Sequence, residues 1–191
     1  MQAFLEKLQS IAPVPSELAE SFLRKGQLRK YKKGDFFLRQ GESRWEIGYI
    51  LKGMFRKYFL IDGKEVTDNF HLENAFVADQ ASFMPRLPAL LNIVAMEDSE
   101  VFVFQRSDIE QWGRQHHVVE SFLRINAETS YTFAFRRKIS LLKDSPEERY
   151  LQMLKTRPKL SPRVPQYHLA SYLGITPEAL SRIRKRLSEK E

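Results

Sequence analysis

The sequence predicts an α+β protein in three parts: a small closed β sandwich or barrel with short helices beside it, one long helix, and a carboxyl-terminal helix-turn-helix. Three observations carry this. From about Leu28 to Gln105 the chain is a series of short Val-, Ile-, Phe- and Tyr-rich runs. They are punctuated by Lys33-Gly34, Gln40-Gly41, Lys52-Gly53 and Asp62-Gly63, which suggests about eight strands closing on themselves. Between Val118 and Leu142 the punctuation stops and apolar residues recur near three-four spacing. Last, Gln166 to Leu187, QYHLASYLGITPEALSRIRKRL, has the pattern of two helices around a short turn.

Taken in order, residues 1–25 are expected to be helical. Phe4, Leu5, Leu8 and Ile11 share one face, and Leu18, Phe22 and Leu23 follow the Pro13–Pro15 break. Asp62-Gly63, between Phe55–Ile61 and Lys64–Phe70, is a hairpin signal because both residues accept positive φ. Pro85 and Pro88 mark a loop. Ser107-Asp108-Ile109-Glu110 has the spacing of a capping box and opens a short helix to about Arg114. The long helix carries Phe122, Ile125, Thr129, Thr132, Ile139 and Leu142 as a stripe, with Phe133 and Phe135 beside it. Such a face either packs within its own chain or pairs with a copy of itself, and the second is preferred here. Ser145-Pro146-Glu147-Glu148 is another capping box, with proline at the first helical position. The expected domains are 1–114, 115–143 and 144–191.

Charge separates the parts. The chain is +7, yet residues 1–135 hold 17 basic and 18 acidic residues, a net of −1. Residues 136–191 hold 14 basic and 6 acidic, a net of +8, where a polyanion would be gripped. Cysteine is absent, which excludes disulfides, thiolate metal sites and cysteine nucleophiles. Of four histidines, His71, His116, His117 and His168, none has metal-ligand spacing with a carboxylate, so neither metal nor cofactor is expected. An enzyme in a small barrel would need clustered histidines, and the barrel holds only His71, so no catalytic residues are assigned. No run reaches the length of a membrane span and the amino terminus is unlike a secretory signal, so a cytoplasmic protein is expected.

In the helix-turn-helix, Leu169, Ala170 and Leu173 face inward, Gly174 ends the first helix, Thr176 caps the second and Pro177 begins it. Leu180, Ile183 and Leu187 then face inward, which sends Glu178, Ser181, Arg182 and Lys185 outward together. Arg182 can donate two bonds to guanine O6 and N7, and Glu178 can accept from cytosine N4, each discriminating by about 1–3 kcal/mol. The plainer use of the two is an exposed ion pair worth roughly 0.3–0.5 kcal/mol, and both uses can hold if the pair pre-orients the arginine. Gln166 and Thr176 at the helix starts, and Lys185, are expected to meet phosphates of double-stranded DNA.

This order of parts resembles the bacterial Crp/Fnr transcription regulators. The markers are KKGDFFLRQGE (32–42), IGYILKGMFRKY (47–58), AMEDSEVFVF (95–104), EERY (147–150) and, most specifically, LASYLGITPEALSRIRK (169–185). The resemblance implies a jelly-roll, cyclic-nucleotide-binding-like sensor domain, a dimerisation helix and a homodimer, with RNA polymerase a candidate partner. It also implies base reading through an E-x-x-S-R pattern, here Glu178, Ser181 and Arg182. Cyclic-nucleotide-binding members carry a Gly-Glu pair and an arginine for the cyclic phosphate. The matching stretch, FVADQASFMPRLPALLNIVAMED (76–98), has neither, with Ala89-Leu90-Leu91 in the arginine region. A phosphate buried there would lack its charge partner, so tight cyclic AMP binding is not expected. Asp79, Ser82, Phe83 and Arg86 could line a pocket for an unknown small-molecule effector, or the first three could cap and pack a short helix. The chain stops four residues after Leu187, so any β-wing is expected from about 156–165. The competing function is a small-ligand-binding module whose DNA-binding end is vestigial; the basic last third and the outward face of the second helix speak against it.

Overall fold

The computed structural model describes residues 2–189, which fall into two compact units, one running to Ser130 and the other starting at Tyr131. The first begins with two short helices, α1 (Gln2–Gln9) and α2 (Ser16–Leu23). Eight strands follow: β1 (Gln27–Tyr31), β2 (Phe36–Leu38), β3 (Glu46–Lys52), β4 (Phe55–Ile61), β5 (Lys64–His71), β6 (Phe76–Val77), β7 (Asn92–Ala95) and β8 (Ser99–Gln105). A short helix, α3 (Gln80–Phe83), lies between β6 and β7. The strands pair antiparallel in two four-stranded sheets, ordered β1-β8-β3-β6 and β2-β7-β4-β5. This crossing order makes a jelly-roll sandwich, so the expected α+β class and β architecture are both present.

Side-chain alternation explains the two apolar layers of this unit. Tyr31, Phe37, Ile50, Phe55, Leu91, Ile93, Val101 and Val103 fill the space within the sandwich. Gly48 sits where a Cβ would lie 2.7 Å from Val101 Cγ1 and 3.0 Å from Phe37 Cε2, so β3 can cross here only without a side chain. Tyr49 and Phe104 instead join Phe4, Leu8, Phe22, Trp112 and Phe122 in a second, aromatic layer. Phe22 stacks on Trp112 at 3.8 Å and on Phe104 at 4.5 Å. The β4–β5 turn is Asp62-Gly63 with φ of 50° and 73°, as its sequence predicts.

Two helices leave the sandwich, α4 (Arg106–Gln115) and α5 (His117–Lys143). The capping box expected at Ser107–Glu110 does not form. The helix starts earlier, with Gln105 as a cap whose side chain makes no capping bond, and the Glu110 carboxylate is taken by Arg106 and Arg86. Helix α5 shifts the expected stripe as well. Phe122 and Ile125 pack into the aromatic layer of the first unit, while Tyr131, Phe135, Ile139 and Leu142 are exposed in the second.

The second unit holds the end of α5, then α6 (Pro146–Thr156), α7 (Gln166–Leu173) and α8 (Pro177–Ser188). Its core is Tyr150, Met153, Leu160, Val164, Leu169, Ala170, Leu173, Leu180 and Ile183. The second capping box forms in full: the Ser145 hydroxyl accepts from the Glu148 amide, and the Glu148 carboxylate accepts from the Ser145 amide at 2.7 Å. Between α6 and α7, residues 158–163 are successive turns, so the segment expected to supply a wing contains no strand. No helix among the described residues is long and apolar enough to cross a membrane.

Candidate nucleic-acid interface

The geometry of the helix-turn-helix follows from three residues. Gly174 adopts φ 67°, ψ 38°, the left-handed conformation that turns the chain out of α7. The Thr176 hydroxyl accepts from the Ala179 amide at 3.2 Å, and Pro177 occupies the first turn, where no amide donor is missed. Ala170, fully buried, and Leu180, also fully buried, lie on the inner faces of the two helices. The opposite side of α8 leaves Glu178, Ser181, Arg182 and Lys185 all exposed, as a recognition surface requires. Gln166 is the first residue of α7, also exposed.

Glu178 does not pair with Arg182. Its carboxyl is held below the usual carboxylate range first by its own backbone amide and next by the Thr176 hydroxyl, with only a longer-range pull from Arg182. The carboxylate thus sits over the positive end of α8, where the free amides and the helix dipole favour it. The expected pre-orienting ion pair does not form, and the cap of α8 is the Thr176 hydroxyl. Arg182 is exposed and makes no hydrogen bond or ion pair among the described residues, which leaves its donors available.

Arginines elsewhere in this unit do structural work that the sequence did not disclose. Arg149 donates from Nε to the Leu173 carbonyl at 2.8 Å and from Nη1 to the Asp144 carbonyl. Arg137 donates to the Tyr172 carbonyl at 2.6 Å and lies 4.0 Å over the Tyr172 ring. Together they satisfy the last carbonyls of α7, a job well suited to a cation at a helix carboxyl end. Arg186 pairs with Glu147 on α6. Part of the +8 excess is therefore spent on holding α7 in place, while Arg182, Arg184 and Lys185 on α8 stay exposed.

In the first unit, three of the four residues suggested for an effector pocket turn into packing. Asp79 is buried and its Oδ2 accepts from the Leu90 amide at 2.9 Å, a bond to the far end of the loop in place of a cap on α3. The Ser82 hydroxyl donates to the Asp79 carbonyl at 3.1 Å, and Phe83 joins the aromatic layer. Ala89 and Leu91 are buried inside the sandwich. Only Arg86 reaches an open cleft.

Residues 28–116 match the model of the cyclic nucleotide-binding domain. Solved structures similar to the whole chain include FixK2 from Bradyrhizobium japonicum, at 20% identity and a TM-score of 0.75, covering 86% of this chain and 85% of that one. The catabolite activator protein of Thermus thermophilus shares 21% identity at a TM-score of 0.62, covering 96% and 87%. CLP, the c-di-GMP-responsive global regulator of Xanthomonas campestris, shares 19% at 0.70, covering 92% and 93%. No curated protein matches the sequence. The chain shares the fold of these three structures. In that fold, the cyclic-nucleotide-type domain is the jelly roll of the first unit, and the helix-turn-helix is α7 and α8 of the second.

Proposed function

We propose that this chain is a cytoplasmic, sequence-specific DNA-binding transcription regulator that acts as a homodimer. Its parts are a sensing domain (1–114), a dimerisation helix (115–143) and a DNA-binding domain (144–191), with RNA polymerase as its candidate protein partner. The observation that carries the reading is the outward face of α8. Glu178, Ser181 and Arg182 are exposed on a helix whose opposite face is buried by α7, and among the described residues Arg182 has no hydrogen bond or ion pair to surrender on meeting a base. Ser181 and Arg182 are assigned to base edges, and Gln166, Thr176 and Lys185 to phosphates. Glu178 is assigned to a base edge as well.

The test is selection of bound duplexes from a random pool, followed by shift assays on the enriched site. Arg182→Ala is expected to lose about 1–3 kcal/mol at one guanine position while keeping salt-sensitive binding to any duplex. An unchanged enriched sequence would remove Arg182 from base reading.

The effector is not cyclic AMP in this reading. A cyclic phosphate entering the jelly roll would meet Ala89 and Leu91 within the apolar filling, with no arginine from the 89–91 stretch to neutralise it. Titration of the protein with cyclic AMP and cyclic GMP should give no saturable heat at micromolar concentrations; micromolar binding would overturn this part.

A further inference from the structure

The first unit carries a cleft of about 310 Å³ outside the jelly-roll interior. It lies where the loop from β2 to β3, the loop from α3 to β7 and the first turn of α4 converge. We propose that this cleft binds a small phosphate-bearing ligand with a planar or apolar body. The inference is independent of DNA binding and of dimerisation.

Arg44, Arg86 and Arg106 line the cleft, against Glu110 as the one carboxylate in its wall. Two of the arginines are anchored. Arg106 donates to the Phe83 and Met84 carbonyls and pairs with Glu110. Arg44 donates to the Phe37 carbonyl and pairs with Glu42 at 3.6 Å and Glu46 at 3.5 Å, of which Glu46 is also held by Arg29. Arg86 differs. Its side chain is 59% exposed and its only tie is to Glu110, at 3.2 and 3.3 Å. An exposed pair of that kind is weak, so a doubly charged phosphate can take the guanidinium over.

The backbone points the same way. Arg86 has φ 57°, alongside Asp62 and Asn74 as the non-glycine residues with positive φ among those described. Aspartate and asparagine tolerate that conformation, whereas arginine adopts it only under strain. Strain retained at a charged side chain on the wall of a cleft is the pattern of a binding residue. Ser43 and Ser107 add neutral hydroxyls to the wall. Trp45 supplies a ring for the body of the ligand, its indole N–H already spent on the Leu87 carbonyl at 3.1 Å.

Trp45 also reports on the site, because the only other tryptophan, Trp112, is buried in the aromatic layer. The full chain is titrated with 5′-AMP, inorganic phosphate and adenosine at fixed ionic strength, by calorimetry and by tryptophan emission. Saturable binding of 5′-AMP, displaced by phosphate and absent for adenosine, is expected, with an emission change that Trp45→Phe removes. Equal affinity for inorganic phosphate would support the anion site and make the free ion its occupant. Arg86→Gly relieves the backbone strain while deleting the guanidinium, and is expected to weaken 5′-AMP binding by about ten-fold or more. Arg86→Asn, which also tolerates positive φ, should match it. Lack of saturation in the millimolar range, adenosine binding as well as 5′-AMP, or unchanged affinity in both Arg86 variants would each overturn the proposal.

Discussion

Arginine serves two ends in the second unit, and its neighbours decide which. Arg149 and Arg137 spend their donors on carbonyls at the end of α7, 24 and 35 residues away along the chain. Arg182 has no such bond among the described residues and is exposed. Its outward placement was legible because helical periodicity is local, and four residues on α8 suffice to show which way it points. The braces were not legible, since nothing near Arg149 in sequence names Leu173 as its partner. Glu148 shows how such local chemistry can be measured. The Ser145 amide and then the Ser145 hydroxyl hold its carboxyl below the usual carboxylate range. Because the folded form is the stronger acid, the stabilisation is complete above the unfolded-state value and fades as pH falls through the folded one. Urea unfolding of wild type and Glu148→Gln should therefore differ at neutral pH and converge in acid. Asp98 and Glu110 titrate in the same direction in both proteins and cancel in the difference. A gap that stays constant with pH would detach Glu148 from the cap.

Whole elements were legible where one periodicity or one turn governs them. The β4–β5 hairpin needs only Asp62-Gly63 between two alternating runs, and α7 and α8 need only Gly174 and Thr176 between two helical ones. The two Ser-x-x-Glu patterns show where that reasoning ends. At Ser145 the glutamate has no cation competing for it within the cap, and the box closes. At Ser107 the neighbouring Arg106 and the distant Arg86 draw Glu110 away, and α4 begins before the serine. A motif is a statement about local supply of partners, and Arg86 arrives by tertiary folding. The stripe on α5 shifted for a related reason. A helix of 3.6 residues per turn rotates by about 20° over each heptad, so one seam cannot stay on one face for 27 residues. Phe122 and Ile125 serve the jelly roll, and an exposed seam starts afresh at Tyr131.

At the scale of the molecule, the order of the parts was legible because each has its own texture, strand-like, helical or turn-broken. The boundary at Ser130 and Tyr131 was not, since it falls inside a continuous helix. That boundary bears on the proposed dimer. Beyond it α5 exposes Tyr131 at 70%, Phe135 at 49%, Ile139 at 43% and Leu142 at 81%, spaced by four, four and three residues and so sharing one face. Tyr131 and Phe135 already stack at 6.1 Å, which fixes their rings as a small flat surface. Water is a poor neighbour for such a seam, and two-fold pairing would cover both copies while offering two recognition helices to half-sites about one helical turn apart. Phe135→Glu should cost the isolated chain little, because the ring is half exposed, but it would put a carboxylate in the paired seam. Sedimentation equilibrium is expected to show a dimer for wild type and a monomer for the variant, with circular dichroism unchanged. Affinity for a two-half-site operator should fall by about a hundred-fold or more as the avidity of linked binding is lost, while a single half-site is bound as before. A variant that remains dimeric would move the pairing surface off this seam, and a wild-type monomer that binds its operator would end the argument for symmetry.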